Sequence, residues 1–156
     1  RVCVEKLEFS NETLQAILLP ILEASLPMIT FDFNSFPDHR LNFFRFLKAC
    51  VNFRLAGLFS IAGGSFKTIM DCVLWACKHE LPTLYELGFD VLLCILNEIS
   101  KYSDIANQFY SVYYVQIFQD ILFVMLDTFH KGGLKIEIMI LNTLVKAIVN
   151  GLVRFV

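Results

Sequence analysis

The chain is short of the residues that carry chemistry. Its 3 histidines, His39, His79 and His130, are far apart, and none has a second His or a Cys at a metal-ligand spacing. Cys77 and His79 are two apart on a helix and face different ways. The 5 cysteines, Cys3, Cys50, Cys72, Cys77 and Cys94, are odd in number and scattered. No CxxC pair occurs, which excludes a zinc ribbon or a thioredoxin-type motif and leaves buried free thiols of a reducing compartment as the reading. Charge of one sign is also scarce. A net charge of -2 gives no electrostatic case for direct nucleic-acid binding or for an acidic membrane surface. Long apolar runs are missing too. The longest uncharged stretch, Ile105 to Gln119, holds Asn107, Gln108, Ser111 and Gln116 and is bracketed by Asp104 and Asp120. It falls short of the roughly 18 consecutive apolar residues that a spanning helix needs, so no membrane insertion is expected. No signal peptide is visible.

Polar clusters that could suggest a site have simpler readings. Asp38-His39-Arg40 is a charged first helical turn, a cap and surface cluster. Asp127, His130 and Lys131 precede a Gly-Gly turn and suit helix-end capping. Gly63-Gly64-Ser65-Phe66-Lys67 lacks the GxxxxGK[ST] pattern and a preceding strand, which argues against a phosphate loop. The many aromatic residues have no basic interleaving and read as core rather than base-stacking surface. No catalytic, cofactor-binding or metal-ligating residue is therefore expected, and no binding residue can be named. An enzyme is not expected.

What the chain has is helical periodicity. Hydrophobic residues make up 56% of the sequence, phenylalanine alone contributes 16, and the mean hydropathy is +0.61. Ser65 to His79 is the helix around which the rest is organised. Phe66, Ile69, Met70, Val73, Leu74 and Cys77 lie on one face, and Thr68, Cys72, Trp75 and His79 form a second contact strip. Trp75 is expected to pack against a neighbouring helix. Burying six large apolar side chains returns roughly 9–18 kcal/mol, against roughly 15–30 kcal/mol for ordering 15 backbone residues. This helix needs partners.

The other segments supply them. Ser10 is a candidate cap for a helix with Leu14, Ile17, Leu18, Ile21, Leu22 and Ser25 on one face. Pro20 should kink or break it, and Pro27 should end or kink it again near Leu26. Thr30 to Ser35 reads as a loop, and Pro37 as a first helical position. Leu41, Phe44, Leu47 and Val51, widened by Phe43 and Phe46, form the next apolar face, with Arg40, Arg45 and Lys48 on other faces. Arg54 to Ala62 holds at most a short helical turn, and Ser65 is a candidate cap for the central helix. From Pro82, the set Leu84, Leu87, Gly88, Val91, Leu92, Ile95, Leu96 and Ile99 is the cleanest stripe in the chain. Gly88 on that stripe implies close approach of another helix. Ser103 or Asp104 caps a long helix to about Phe129, burying Ala106, Phe109, Tyr110, Tyr113, Ile117, Ile121, Val124 and Met125. The last helix carries Leu134, Ile138, Leu141, Val145, Ile148 and Leu152 as its stripe.

These helices pair into hairpins over 10–54, 64–101 and 103–153, with second members starting near Pro37, Pro82 and Leu134. That spacing lies just above the roughly 40–47-residue period of HEAT-type repeats. The expectation is all-α: a right-handed α-solenoid of about three HEAT-type helical hairpins forming a single segment over 1–156. An irregular helical bundle is the structural alternative. The start at Arg1 and the high apolar content suggest a piece of a larger all-helical protein whose end surfaces are covered. In isolation, Leu134, Ile138, Leu141, Val145 and Ile148 would be only partly covered, and self-association or poor solubility is expected.

Several segments resemble the export receptors of the karyopherin-β family. They are Phe36-Pro37-Asp38-His39-Arg40-Leu41-Asn42-Phe43-Phe44, then Phe66-Lys67 and Asp71, then Trp75-Ala76-Cys77-Lys78-His79. Gly88, Ala106-Asn107-Gln108-Phe109-Tyr110 and Asp127-Thr128-Phe129-His130-Lys131-Gly132-Gly133-Leu134 continue the resemblance in order, and Val4-Glu5-Lys6-Leu7 is similar to the end of the helix before. Ala62-Gly63 stands where that family often has Pro-Pro, Pro20 and Pro27 fall in a helix it keeps unbroken, and the match is weak after Gly133. The resemblance implies a HEAT solenoid that carries leucine-rich export-signal cargo proteins with Ran-GTP, passes nucleoporins in the nuclear pore, and shuttles between nucleus and cytoplasm. The export-signal groove is implied to lie in repeats outside this stretch. A helical-repeat scaffold or adaptor of another complex is the alternative. The pairing of FPDHR…NFF with WACKH speaks against it, because periodicity alone would not produce those residues.

Overall fold

A computed structural model describes residues 11–31, 35–59 and 65–153. Ser10, Cys3, the 4–7 segment, Ala62 and Gly63-Gly64 lie outside the described residues, as do the side chains of Leu14 and Ser65. The described residues are helical and contain no strand. In order they form α1 (Asn11–Phe31), α2 (Pro37–Phe59), α3 (Ser65–Cys77), α4 (Pro82–Ile99), α5 (Ser103–Leu126), a 3-10 segment (Thr128–Gly133) and α6 (Leu134–Val149). They fall into two compact units, one ending at Met70 and the other beginning at Asp71.

In the first unit α1 packs on α2. Leu18, Leu22, Ser25 and Ile29 are buried at offsets 0, 4, 7 and 11. Ile17 is on the outside instead, 40% exposed. The expected break at Pro20 and end near Leu26 do not occur, and α1 runs unbroken through both prolines. Both prolines are exposed, on the side away from Leu18, Leu22 and Ile29. Each interior proline costs about 3 kcal/mol. Burying three large aliphatic side chains at roughly 1.5–3 kcal/mol each is of the same size. The loop expected from Thr30 is correspondingly later, since the helix includes Thr30 and Phe31. Helix α2 begins at Pro37 as expected, and it also continues past Arg54 to Phe59 rather than ending in a separate turn. Phe43, Phe44, Leu47, Cys50 and Val51 are buried on it.

The second unit is built on α4. Leu84, Tyr85, Gly88, Phe89, Val91, Leu92, Leu93, Ile95, Leu96 and Ile99 are buried, so α4 is enclosed on more than one side. It packs along α6 and against the 3-10 segment, and α5 packs on α6. The helix opens at Pro82 directly after the short turn that ends α3. The close approach expected at Gly88 is present. A Cβ there would lie 2.8 Å from the Cys77 backbone nitrogen and 3.0 Å from the Ala76 carbonyl carbon. Helix α3 stops at Cys77, two residues earlier than expected, and Lys78 and His79 form the turn.

Helix α5 buries Ala106, Phe109, Tyr110, Tyr113, Ile117, Ile121 and Val124 as expected, and Tyr114 as well. Its N-cap is Tyr102 and no side chain caps it, which corrects the assignment of that role to Ser103 or Asp104. Asp104 instead sits in the first turn, where the helix dipole favours an acid. The helix ends at Leu126, and the connection beyond it is a full 3-10 segment rather than a simple Gly-Gly turn. Crowding explains the two glycines. A Cβ on Gly133 would meet the Phe89 ring at 2.7 Å and Glu137 Oε1 at 2.8 Å.

Helix α6 reverses the sequence expectation. Its buried residues are Glu137, Ile140, Leu144 and Ala147. The stripe Leu134, Ile138, Val145 and Ile148 is the outward one, with exposures of 47%, 52%, 50% and 40%. That exposure matches the expectation that this stripe would be only partly covered. The error lay in taking it as the face that packs within the chain.

Candidate functional site

Some of the residues that carry the family resemblance, Arg40 and His130 among them, join helices. Arg40 is 2% exposed, not on a solvent face. Its Nη2 donates to the carbonyl oxygens of Ile29 at 3.4 Å and Ser35 at 3.3 Å. With Pro37 as first helical residue, Arg40 falls at the position that reaches back over the residue before the cap. It ties the end of α1 to the start of α2. Phe36, between them, has φ +57°, a left-handed conformation uncommon for a side chain of this kind. Asp38 and His39 are exposed, as expected of a surface first turn.

In the second unit the WACKH and DTFHKGG segments meet. Lys78 Nζ pairs with Asp120 Oδ2 at 3.2 Å. The Leu81 N–H donates to His79 Nδ1 at 3.0 Å, which fixes the proton of the His79 ring on Nε2. His130 is buried and its Nε2 lies 3.1 Å from the His79 carbonyl oxygen. A carbonyl only accepts, so Nε2 is the donor. His130 Nδ1 lies 3.3 Å from Asp127 Oδ2, and the His130 ring packs 4.8 Å from that of Tyr85. Glu137 joins this seam from α6, 1% exposed. Burial pushes its carboxyl up, and His130 opposes part of that shift. Sequence reading missed Glu137 because its neighbours Leu134 and Ile138 advertise the opposite face. Trp75 is half-buried, short of the full burial that a core residue would have, and its ring stands edge-on to His79 at 5.1 Å.

Cys50, Cys72 and Cys77 are buried and free. Burial pushes the Cys50 thiol up to about 12 and the Cys72 thiol to about 11, and raises Cys77 further still. Cys94 is half-buried. Among the described residues no group of His, Cys, Asp and Glu is arranged to hold a metal ion. The hydrogen bond from His130 to the His79 carbonyl oxygen joins two connections at a helix junction.

Paired helices stacked through apolar faces, with polar side chains spent on joining the connections, define an all-α protein of the helical-repeat class. The profile of the family described as CRM1 C terminal matches residues 2–155, and the chain belongs to that family. The match therefore continues well beyond Gly133, where the resemblance had looked weak. The chain is similar to Exportin-1 of Dictyostelium discoideum, 36% identical over 138 residues, covering 88% of this chain and 13% of the relative. It is similar to Protein EXPORTIN 1B of Arabidopsis thaliana, 37% identical over 131 residues, covering 84% of this chain and 12% of the relative. Exportin-1 of Schizosaccharomyces pombe is 32% identical over 138 residues, with 88% and 13% covered. The chain thus spans about an eighth of the length of these relatives.

Proposed function

We propose that this chain is a HEAT-repeat segment of a nuclear export receptor. Its hairpins over 10–54, 64–101 and 103–153 are continuous with the solenoid of a longer protein. The observation that carries this reading is the family match over residues 2–155 on an all-helical chain. The relatives it resembles are exportins. The role is transport without catalysis. The whole receptor takes leucine-rich export-signal cargo cooperatively with Ran-GTP, passes the nucleoporins, and shuttles between nucleus and cytoplasm. This segment supplies a stacked helical wall. Recognition of a helical signal needs a preformed apolar cleft, and the buried apolar residues of α4 and α5 are committed to their own interhelical core.

The test is fluorescence anisotropy with a labelled export-signal peptide. The full-length parent should bind it, and Ran-GTP should tighten that binding. The 156-residue chain alone should give no saturable signal. Loss of the Ran-GTP dependence in the parent would defeat the receptor reading. Saturable binding to the chain itself, abolished by replacing the peptide's leucines with alanine, would defeat the placement of this segment outside the cargo cleft.

A further inference from the structure

The surroundings of His130 ask for more protons than a neutral ring carries. The residue is 3% exposed. Its Nε2 lies 3.1 Å from the His79 carbonyl oxygen, which only accepts, so Nε2 holds one proton. Nδ1 is buried too, and no donor hydrogen-bonds to it. What stands beside it is Asp127 Oδ2, at 3.3 Å. A neutral ring would turn the Nδ1 lone pair towards that carboxylate oxygen, and the two would repel. With a second proton, Nδ1 becomes a donor and the contact becomes an ion pair.

The two nitrogens hold different elements. Nε2–H reaches the turn between α3 and α4. Nδ1 reaches Asp127, the C-cap residue of α5, whose own N–H donates to the Val124 carbonyl oxygen. The doubly protonated ring therefore ties the end of α5 to the turn between the two preceding helices. The groups around it agree in sign. From α4, Tyr85 presents a ring at 4.8 Å. From α6 comes Glu137, 1% exposed, whose Oε1 has no hydrogen-bond partner. Burial favours its protonated form, and when ionised it attracts the charged ring. His79 accepts the Leu81 N–H at Nδ1 and is uncharged while that bond holds. On α5, Asp120 is engaged with Lys78. Lys131, next in the chain, is exposed.

We propose that the connection from Asp127 to Gly133 is a proton-operated latch, closed while both ring nitrogens of His130 are protonated and opened on its Asp127 side when Nδ1 gives its proton to solvent. The Nε2 side holds in both states, because a neutral ring still donates there. The stabilising contact is present on the acid side and is lost as pH rises. Histidine side chains as a class titrate near pH ~6.5, which sets the range to search. The latch belongs to this connection and does not depend on what the longer protein carries.

Hydrogen exchange of the full-length parent tests it, read by mass spectrometry on peptides covering 124–133 and corrected for the intrinsic pH dependence of exchange. Opening of this segment should rise roughly fivefold between about pH 5.5 and about pH 8, the effect of losing one modest hydrogen bond. Peptides from the middle of α4 should not change. Asp127→Asn offers an amide N–H to the bare Nδ1 and, with the amide flipped, an oxygen to the protonated one. That variant should stay closed at both pH values, and Asp127→Ala should be open at both. Equal opening at the two pH values in the parent would overturn the proposal. So would an Asp127→Asn or Asp127→Ala receptor that keeps the parent's pH dependence.

Discussion

His130 and His79 are 51 residues apart in sequence and share one buried hydrogen bond, from the Nε2–H of His130 to the carbonyl oxygen of His79, at 3.1 Å. Through it the 3-10 segment before α6 is fastened to the turn between α3 and α4. The His79 ring, in turn, holds Leu81 at the entry to α4. Two connections that would otherwise be separate surface turns are thus locked together in the interior.

His130→Ala should release this junction. The His79 carbonyl would be left buried without its donor, at a cost of roughly 1–3 kcal/mol. Loss of the ring packing against Tyr85 adds to it. Urea denaturation of the variant should show a lower midpoint. Amide hydrogen exchange should quicken first in residues 79–82 and 128–133.

The pH response of Glu137 has a definite sign. Burial raises its carboxyl in the folded chain, so folding favours the protonated acid. That contribution is complete below the unfolded carboxyl's value, roughly 4.3. It is lost as pH rises through the folded one. Glu137→Gln removes the loss. The variant should melt higher than the parent sequence near pH 7, and the gap should close near pH 4. A gap independent of pH, read from thermal scans across that range, would contradict it.

How far the fold could be read from sequence differs between helices for a physical reason. Helix α4 was legible along its main stripe, because polar Glu86 and Asn97 stand outside it, but its second buried face of Tyr85, Phe89 and Leu93 was not. Helix α6 was not, because it is apolar on two sides. Ile138 and Val145 compete with Ile140 and Leu144, and hydropathy cannot choose between them. What decides is tertiary packing, since α6 lies along α4 and against the 3-10 segment with Glu137, Ile140 and Leu144 inward. Arg40 was misread for a related cause. A charged residue in a first turn looks like surface until the carbonyls of Ile29 and Ser35 are brought over it. The prolines of α1 show local preference overridden by packing.

Gly88→Ala should destabilise the chain although alanine is the better helix former. Propensity alone would favour the variant by about 1 kcal/mol. The new Cβ, however, would stand 2.8 Å from backbone rather than from a side chain that can move aside. Overpacking of this kind costs roughly 1–3 kcal/mol. A net fall in the urea midpoint is expected, and a rise would show that α3 and α4 separate without penalty.

Trp75 reports on its half-burial. Its emission should lie between that of a core and a solvated indole, and acrylamide should quench it partially. Because the ring is not fully enclosed, Trp75→Ala should cost less than the roughly 3–5 kcal/mol of a fully buried aromatic. A loss at or above that range would place Trp75 in the core.

The buried thiols link stability to alkaline pH. Cys50, Cys72 and Cys77 have thiols that burial holds well above the ordinary 9.0, to about 12 for Cys50 and about 11 for Cys72. The folded chain therefore keeps them protonated at a pH where the unfolded chain would ionise them. Their contribution is intact below about pH 8.5. It declines as pH rises above that value, because ionisation then draws the equilibrium towards the unfolded state. Thermal midpoints should fall steadily between pH 8 and pH 11. Replacing Cys50 and Cys72 with alanine should flatten that slope, even though the cavities lower the midpoint at neutral pH. Thiol labelling at pH 7.5, read by peptide mass mapping, should mark Cys94 well before Cys50, Cys72 or Cys77, and all four together in urea. Labelling of Cys77 at the rate of Cys94 in the folded chain would mean that α3 and α4 open at Gly88.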